Sequence, residues 1–225
     1  GEGVLYEIDM RLRPSGNKGP VATHIAAFRK YQRTEAEIWE HMALTRARVI
    51  AGDADFASLI EADVSGILDL PRAYADVARE ARQMRALIEK EKPPADEWDL
   101  KLALGGLIDL EFIAQVASLT GRVDEAGRST ATADVLRHLA DDFADLQERG
   151  DLFEAHRLYT TLTQIMRLCL TGSLDPADIP PGLSDLLIRS ADAPDLNFLR
   201  ALLKDTTRNV RKLFDGLLSE KSASR

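Results

Sequence analysis

The chain has 225 residues, 45% of them hydrophobic and 29% charged, which is the length and composition of one or two soluble globular domains. Its formal net charge of -8 excludes a surface that attracts nucleic acid or anionic membranes over its whole extent, so any phosphate binding must come from a local basic cluster. The sequence contains no apolar run of about 18 residues, and no membrane span is therefore predicted.

The single cysteine, Cys169, excludes a disulfide within the chain, which suits a reducing compartment such as the cytoplasm. It lies in an apolar run with Ile165, Met166 and Leu170, so we expect a small buried hydrophobe rather than a nucleophile. The chain begins with Gly-Glu-Gly instead of Met and enters a strand-like pattern at once. We therefore expect it to be a piece of a longer protein.

The first predicted element is a β-strand over residues 4–13, where apolar and polar side chains alternate, and turn-forming residues at 14–17 end it. A lone strand cannot satisfy its own backbone hydrogen bonds, so its partner strands must lie later in this chain or in a part upstream of it. The polar face of this strand carries four charged side chains: Glu7, Asp9, Arg11 and Arg13.

From Thr23 onward, helical periodicity interrupted by proline and glycine predicts a series of α-helices. Thr23 is expected to cap the first helix, and a second is expected to run from 35 to 50 and to stop before a glycine. Asp53 or Asp55 is expected to cap a third helix, which ends near residues 70–71.

The later helices are separated by short breaks. A charged amphipathic helix is predicted over 72–91, ending before two prolines, with four side chains pointing inward: Val77, Met84, Leu87 and Ile88. Further helices are predicted at 107–119, 131–148, 151–171, 183–190 and 195–219. The predicted fold class is therefore mainly α, with a helical bundle that follows one short strand.

Asp9 is the first candidate for a functional residue, because a carboxylate on the polar face of a strand can project into a cleft and hold a Mg²⁺ ion that bridges nucleotide phosphates. Arg11 and Arg13 share this face, about 7 Å apart per step of two residues, and can neutralise phosphate charge at the same place. A solvated face with mutual ion pairs would produce the same pattern, and Glu7 can be an ordinary surface carboxylate.

The literal string LYEIDMRLRPSG at residues 5–16 closely resembles a signature of glutamine synthetase adenylyltransferases. The resemblance continues in order over about half of the chain, and it is closer to the adenylylating, C-terminal half of these enzymes than to the deadenylylating half. The further matching blocks are Gly19-Pro20-Val21, Phe28, Tyr31-Gln32, Trp39-Glu40-His41, Ala43-Leu44, Arg46-Ala47-Arg48, Asp99-Leu100-Lys101, Gly105-Gly106-Leu107, Asp109 and Glu111-Phe112.

This resemblance implies a nucleotidyltransferase of the polymerase-β type, whose site combines a Gly-Ser…Asp-x-Asp motif on one strand with a third Asp on a neighbouring strand. Asp9 matches the third Asp as metal ligand and catalytic residue, and Arg11, Arg13 and Arg46 are implied to bind nucleotide phosphates. The first motif does not occur in this sequence. Asp53-Ala54-Asp55 has its spacing but not its context, and is interpreted as a helix cap.

The resemblance also implies a domain division. Residues 1–52 are expected to end the polymerase-β-like nucleotidyltransferase domain, with the third-Asp strand and the helices that follow it. Residues 53–225 are expected to form a C-terminal α-helical bundle domain. Because two of the three metal carboxylates are missing, the resemblance implies that this chain is inactive alone.

For the intact protein, the resemblance implies transfer of AMP from ATP to a tyrosine of glutamine synthetase, with Mg²⁺ as cofactor and with control by a PII-type signalling protein and glutamine. Asp9 would hold the metal beside the attacking oxygen or accept its proton. A different function is a helical regulatory and docking module that binds glutamine synthetase or a PII-type protein. A plain helical bundle without a site is disfavoured by the motifs.

Several residues near these motifs have an ordinary structural explanation as well. Arg46 and Arg48 are expected to follow Trp39 on one helical segment, where they support the nucleotide site or pair with surface glutamates. Trp39 is interpreted as core packing rather than as a nucleobase platform. The four histidines are scattered without ligand spacing, so no zinc site is predicted.

Gly105 and Gly106 precede a predicted helix whose first turn carries Asp109 and Glu111, where carboxylates favour the helix dipole. This local stabilisation is a complete structural explanation, and the functional alternative is a hinge or a contact between the helical and catalytic domains. The residues at 102–104 depart from the small residues that the family usually has there, so no direct ligand role is predicted for this loop.

Overall fold

The computed structural model describes residues 16–123, 128–170 and 174–219. These ranges are mainly α-helical, which confirms the predicted fold class for this part of the chain. The β-type contact found within them is an isolated antiparallel bridge between Val123 and Leu139.

The strand predicted over residues 4–13 lies outside the described residues. The chain divides into two compact units, Gly1–Pro71 and Arg72–Arg225. The functional division after residue 52 stays a prediction.

In its described part, the first unit contains α1 (Ile25–Thr34), α2 (Ile38–Leu44) and α3 (Ala54–Leu68). Helix α3 packs against both α1 and α2. The Asp53 carboxylate caps α3 by accepting a hydrogen bond from the backbone N–H of Phe56 at 3.0 Å. Of the two alternative caps predicted for this helix, Asp53 is therefore confirmed.

The N-cap of α1 is His24 and not Thr23. The backbone of His24 is extended, and its ring Nδ1 accepts a hydrogen bond from the backbone N–H of Ala26 at 3.1 Å. An unprotonated imidazole nitrogen is an acceptor, so it can satisfy a free N–H at a helix start as a Ser or Asp side chain does. The prediction of Thr23 as the cap is wrong for this reason.

Helix α2 begins at Ile38 and ends at Leu44. Both ends of the helix predicted over 35–50 are therefore wrong. The Thr45 hydroxyl donates to the Met42 carbonyl at 2.7 Å, and the backbone N–H groups of Thr45 and Arg46 bond to carbonyls three residues back. These contacts tighten the last turn and compete with continuation of the α-helix. Arg46 and Arg48 therefore follow the helix instead of lying on it.

The described part of the second unit is built around one central helix, α5, which packs against α4, α6, α7 and α9. The helix predicted over 107–119 coincides with α5 and is confirmed. A helix buried on most sides must be apolar on most sides, and α5 has only two charged residues. The helices are α4 (Tyr74–Glu91), α5 (Leu107–Leu119), α6 (Thr132–Arg137), α7 (Leu146–Cys169), α8 (Pro181–Ser190) and α9 (Leu196–Leu217).

Helices α6 and α7 have different bounds from those predicted. α6 ends at Arg137, and α7 continues through Gly150, where the sequence predicts a break. Asp145 and Glu148 start α7 with reciprocal side-chain to backbone hydrogen bonds of 2.8 and 3.0 Å. A Cβ at Gly150 would meet no atom within 4 Å, so this glycine lies on an open helix surface and weakens α7 without breaking it.

Helix α4 buries a charge that its pattern does not predict. Val77 is buried as predicted, but Leu87 is 51% exposed, so its inward assignment is wrong. The face of Val77 and Ala81 continues at position 85, and Arg85 occupies it with 1% exposure. The interior of the second unit must therefore supply a negative charge and hydrogen-bond acceptors to this buried guanidinium group.

The prediction of Cys169 as a buried hydrophobe is also wrong, because its side chain is exposed. The buried stripe of α7 passes through Tyr159 and Leu162 and ends at Met166. The last turn projects beyond that stripe, and Leu168 there is 87% exposed. No helix in the described ranges combines the length and the apolar character needed to cross a membrane.

Tyr74 joins the first turn of α4 to the last turn of α9, since its hydroxyl donates a hydrogen bond to the Leu217 carbonyl. The Arg122 guanidinium lies 4.8 Å from the Tyr74 ring centroid, and the Phe143 ring packs edge-on at 6.2 Å. Burial raises the pKa of Tyr74 to about 12, against the opposing charges of Arg122 and Arg82.

We expect the Tyr74 phenol to titrate near pH 12 in the folded chain, compared with 10.0 as its ordinary pKa. Because the folded chain holds this proton more tightly, the stability that it contributes is complete below pH 10 and is lost as the pH rises towards 12. The difference in near-ultraviolet absorbance between wild type and Tyr74→Phe measures the midpoint. A midpoint near 10, with circular dichroism showing a folded chain, would contradict the expectation.

Candidate functional site

The structure describes one of the four predicted site residues. Asp9, Arg11 and Arg13 lie outside the described residues and stay predictions. Arg46 is exposed, in the turn that directly follows α2, where its backbone N–H bonds to the Ala43 carbonyl at 3.2 Å. A side chain there can reach a ligand, whereas the predicted position on a helix shared with Trp39 is wrong.

The motif residues of α1 and α2 contact one another. The Tyr31 hydroxyl donates to the two carboxylate oxygens of Glu40 at 3.0 and 2.8 Å. The His41 ring Nε2 bonds to the Gln32 carbonyl at 2.9 Å, and both residues are buried. These residues therefore hold the two helices together, and they fix the turn that carries Arg46.

Trp39 does not belong to the core as predicted, since 36% of its side chain is exposed. The neighbouring connection from α1 to α3 is ionic, because Arg29 Nε lies 2.8 and 2.7 Å from the two carboxylate oxygens of Asp63. The Arg29–Asp63 ion pair, the hydrogen bonds to the Glu40 carboxylate and the buried His41 thus hold the three described helices of the first unit together.

The second unit contains a buried charge cluster that begins with Arg85. Arg85 Nε donates to Asp109 Oδ1, and both side chains are at most 1% exposed. The Nη2 group of Arg85 donates to the carbonyls of Leu102 and Ala103 at 3.1 and 2.9 Å. One guanidinium therefore ties α4 both to the loop before α5 and to the first turn of α5.

Asp109 is the centre of this cluster. Its Oδ2 accepts a hydrogen bond from the Gly105 N–H at 2.6 Å and lies 3.5 Å from Arg211 Nη1. Burial raises the pKa of Asp109, and Arg85 is the strongest influence that opposes it. The sequence interpretation of Asp109 as a partner of the helix dipole is therefore incomplete, because its main partners are a buried arginine and a loop N–H.

Arg211 brings α9 into the same cluster. Its Nη1 lies 2.6 Å from Glu89 of α4, and its Nε lies 3.2 Å from Asp215 one turn further along α9. The Arg211 guanidinium also packs 5.1 Å from the Phe214 ring centroid. Arg85, Glu89 and Arg211 were not predicted as site residues; the available signal was a charged residue at position 85 on the apolar face of α4.

Gly105 allows α9 to approach the loop more closely than any side chain would permit. Its φ is +78°, and a Cβ at this position would lie 1.8 Å from the Thr207 carbonyl oxygen of α9. Both features require glycine. They favour a fixed packing contact at Gly105 over the hinge that the sequence left open.

The charges of the cluster are balanced within it, since its carboxylates face guanidinium groups and a backbone N–H. Across the described ranges, no group of three or more His, Cys, Asp or Glu side chains is placed to hold a metal ion. The geometry therefore assigns the cluster to holding α4, α5 and α9 together.

Two family models match consecutive parts of the chain. Residues 1–62 match the model described as glutamate-ammonia ligase adenylyltransferase. Residues 77–173 match the model described as GlnD PII-uridylyltransferase. The first match lies within the first compact unit and the second match within the second.

Similar proteins are named bifunctional glutamine synthetase adenylyltransferase/adenylyl-removing enzymes. The one from Mesorhizobium japonicum is 60% identical over 217 residues, which cover 96% of this chain and 22% of that protein. Those from Brucella suis biovar 1 and Rhizobium meliloti are 54% and 47% identical, covering 96% and 97% of this chain and 22% of each relative. The chain thus spans about a fifth of the length of these relatives.

We expect Gly105→Ala to destabilise the second unit by more than about 2 kcal/mol, because the methyl group would overlap the α9 backbone and the φ is unfavourable for alanine. Gly150→Ala is the matched control, since its Cβ meets open space and should stabilise α7 by about 0.5–1 kcal/mol. Urea unfolding of both variants measures the effects. Equal stability of the two variants would contradict the close packing at Gly105.

Asp109→Asn is expected to lower the free energy of unfolding by about 3–5 kcal/mol, because it leaves the buried Arg85 guanidinium with only the more distant and partly exposed Glu89 carboxylate as counter-charge. Arg79→Met on the same helix is the control, since its exposed pair with Asp76 should contribute less than about 1 kcal/mol. Free energies of unfolding in urea test both. A loss at Asp109 as small as that at Arg79 would show that the cluster does not hold the helices.

Proposed function

Because this chain belongs to the glutamine synthetase adenylyltransferase family, we propose that it supplies one metal-binding carboxylate and the helical part of a nucleotidyl-transfer site. The match of residues 1–62 to the family model carries this proposal, since that range contains Asp9, Arg11, Arg13 and Arg46. One carboxylate for a cation and several arginines for phosphate are the groups that such chemistry needs.

In the proposed reaction, the intact enzyme transfers AMP from ATP to a tyrosine hydroxyl of glutamine synthetase. A bond forms between the tyrosine oxygen and the α-phosphorus, the bond from this phosphorus to the bridging oxygen breaks, and pyrophosphate leaves with the electron pair. Asp9 would hold a cation or accept the proton of the tyrosine hydroxyl, while Arg11, Arg13 and Arg46 would contact phosphate oxygens. Mg²⁺, when bound, supplies positive charge that offsets the phosphates.

We further propose that this site is divided between the chain and another part of a longer cytoplasmic polypeptide. The sequence lacks the Gly-Ser…Asp-x-Asp motif that would supply the other carboxylates. Phe56 and Leu59, three residues apart on α3, are 51% and 43% exposed, and apolar surface suits a contact with further protein. The chain alone is then inactive in AMP transfer.

A second candidate function is docking and regulation. Residues 77–173, which match the GlnD PII-uridylyltransferase model, include nearly all of α4 to α7. This match favours a helical module that contacts glutamine synthetase or a PII-type signalling protein. The two functions are compatible in an intact enzyme, and they differ in whether AMP transfer requires Asp9.

Asp9→Asn in the intact enzyme is expected to lower AMP transfer about a thousandfold or more, because a metal-binding carboxylate supports several kcal/mol of transition-state stabilisation. The measurement follows labelled AMP from Mg-ATP into glutamine synthetase. Glu7→Gln is the matched control, since it removes the same charge from the same predicted strand face and should leave transfer nearly unchanged. The chain alone should transfer no AMP.

Near-normal transfer by a folded Asp9→Asn enzyme would remove Asp9 from the site and leave docking as the function of this chain. Transfer by the chain alone would instead contradict the divided site. Equal losses in Asp9→Asn and Glu7→Gln would point to general damage of the strand rather than to a metal-binding role.

A further inference from the structure

Two adjacent residues of α2 anchor that helix to two adjacent residues of α1. The Tyr31 hydroxyl donates to the two carboxylate oxygens of Glu40 at 3.0 and 2.8 Å. The Nε2 atom of His41 lies 2.9 Å from the Gln32 carbonyl oxygen. Glu40 also accepts a hydrogen bond from the Glu37 backbone N–H at 3.1 Å, so one carboxylate joins α1 to the start of α2. Because two contacts are made, they set both the place of α2 beside α1 and its orientation.

Helix α2 depends on such contacts because it has only seven residues. A helix shorter than about 12 residues is not stable by itself in water. Its far end is fixed by burial, since Met42 and Thr45 are 2% and 8% exposed, and the Thr45 hydroxyl donates to the Met42 carbonyl at 2.7 Å. Arg46 follows this buried turn directly and is exposed. The position of Arg46 therefore follows the orientation of α2.

The position of Arg46 is sensitive to small rotations of α2. Glu40 precedes Arg46 by six residues, which is about 9 Å at a rise of about 1.5 Å per residue. A rotation of about 10° at Glu40 therefore moves the Arg46 backbone by about 1.5 Å. Hydrogen bonds from an arginine to phosphate oxygens are directional, and a displacement of about 1 Å can lower a rate about a hundredfold.

We propose that Tyr31 is a positioning residue for AMP transfer, because its hydrogen bond to Glu40 orients α2 so that Arg46 meets the phosphate oxygens of ATP. This inference rests on the role of Arg46 in the proposed function. In this role the Tyr31 hydroxyl acts through Glu40 and α2, and not on a substrate directly. The structural alternative is a hydrogen bond that stabilises the first unit and has no influence on the reaction.

Tyr31→Phe in the intact enzyme tests the positioning role, because it removes one oxygen and keeps the ring. We expect kcat/KM for Mg-ATP, measured as transfer of labelled AMP to glutamine synthetase, to fall about tenfold as the phosphate contact of Arg46 weakens. The same substitution in an Arg46→Met background should have little further effect, because no guanidinium is left to position. A purely structural hydrogen bond would not produce this dependence on Arg46.

Tyr74→Phe is the matched control. It also removes a hydroxyl that joins two helices, since the Tyr74 hydroxyl bonds to the Leu217 carbonyl in the second unit. This variant should lower the thermal unfolding midpoint of the intact enzyme and leave kcat/KM unchanged. Glu40→Gln retains an acceptor for the Tyr31 hydroxyl, so it should keep more of kcat/KM than Glu40→Met does.

Near-normal kcat/KM for Tyr31→Phe, or the same fold-loss in both backgrounds, would overturn the positioning role. A loss of kcat/KM in Tyr74→Phe as large as that in Tyr31→Phe would also overturn it, because general loss of stability would then explain both. Normal transfer by Arg46→Met would remove Arg46 from the site and the positioning role with it. The metal-binding part of the proposed function is tested separately by Asp9→Asn, so the two failures are distinguishable.

Discussion

The buried pair of Arg85 and Asp109 is the constraint on which the second unit depends. Removing two charges from water is costly, and their mutual attraction repays that cost only when the remaining donors and acceptors are also satisfied. Here the loop carbonyls of Leu102 and Ala103, the Gly105 N–H and Arg211 satisfy most of these donors and acceptors. Such a cluster specifies one position for α4, α5 and α9, because any shift would leave a charge unpaired.

The close contact at Gly105 follows from the same arrangement. Asp109 holds the Gly105 N–H at 2.6 Å, and this places the loop backbone against Thr207 of α9. The hydrogen bond of Asp109 and the steric fit against α9 therefore both fix the position of Gly105. The motif that contains Gly105 and Asp109 is explained by packing in this helical unit.

The motif residues in the first unit also form contacts with one another. Tyr31 bonds to Glu40, and Gln32 bonds to His41, so four of the residues that resemble the family brace α1 against α2. Arg46 follows at the end of that braced segment. Of the residues proposed for nucleotidyl transfer, Arg46 lies in the described part of the chain, and the motif residues around it support its position.

The sequence by itself determined the mainly α class, the bounds of α5, the Asp53 cap and the family resemblance, because these depend on local periodicity, capping chemistry and literal motifs. Only the tertiary structure decided that Arg85 points inward and Leu87 outward, that α2 stops at Leu44, and that Cys169 is exposed. A local sequence pattern predicts burial from the polarity of each side chain. Actual burial also depends on which partner groups the other helices bring to that side chain. An arginine becomes a core residue when an aspartate and two loop carbonyls from distant positions meet it there.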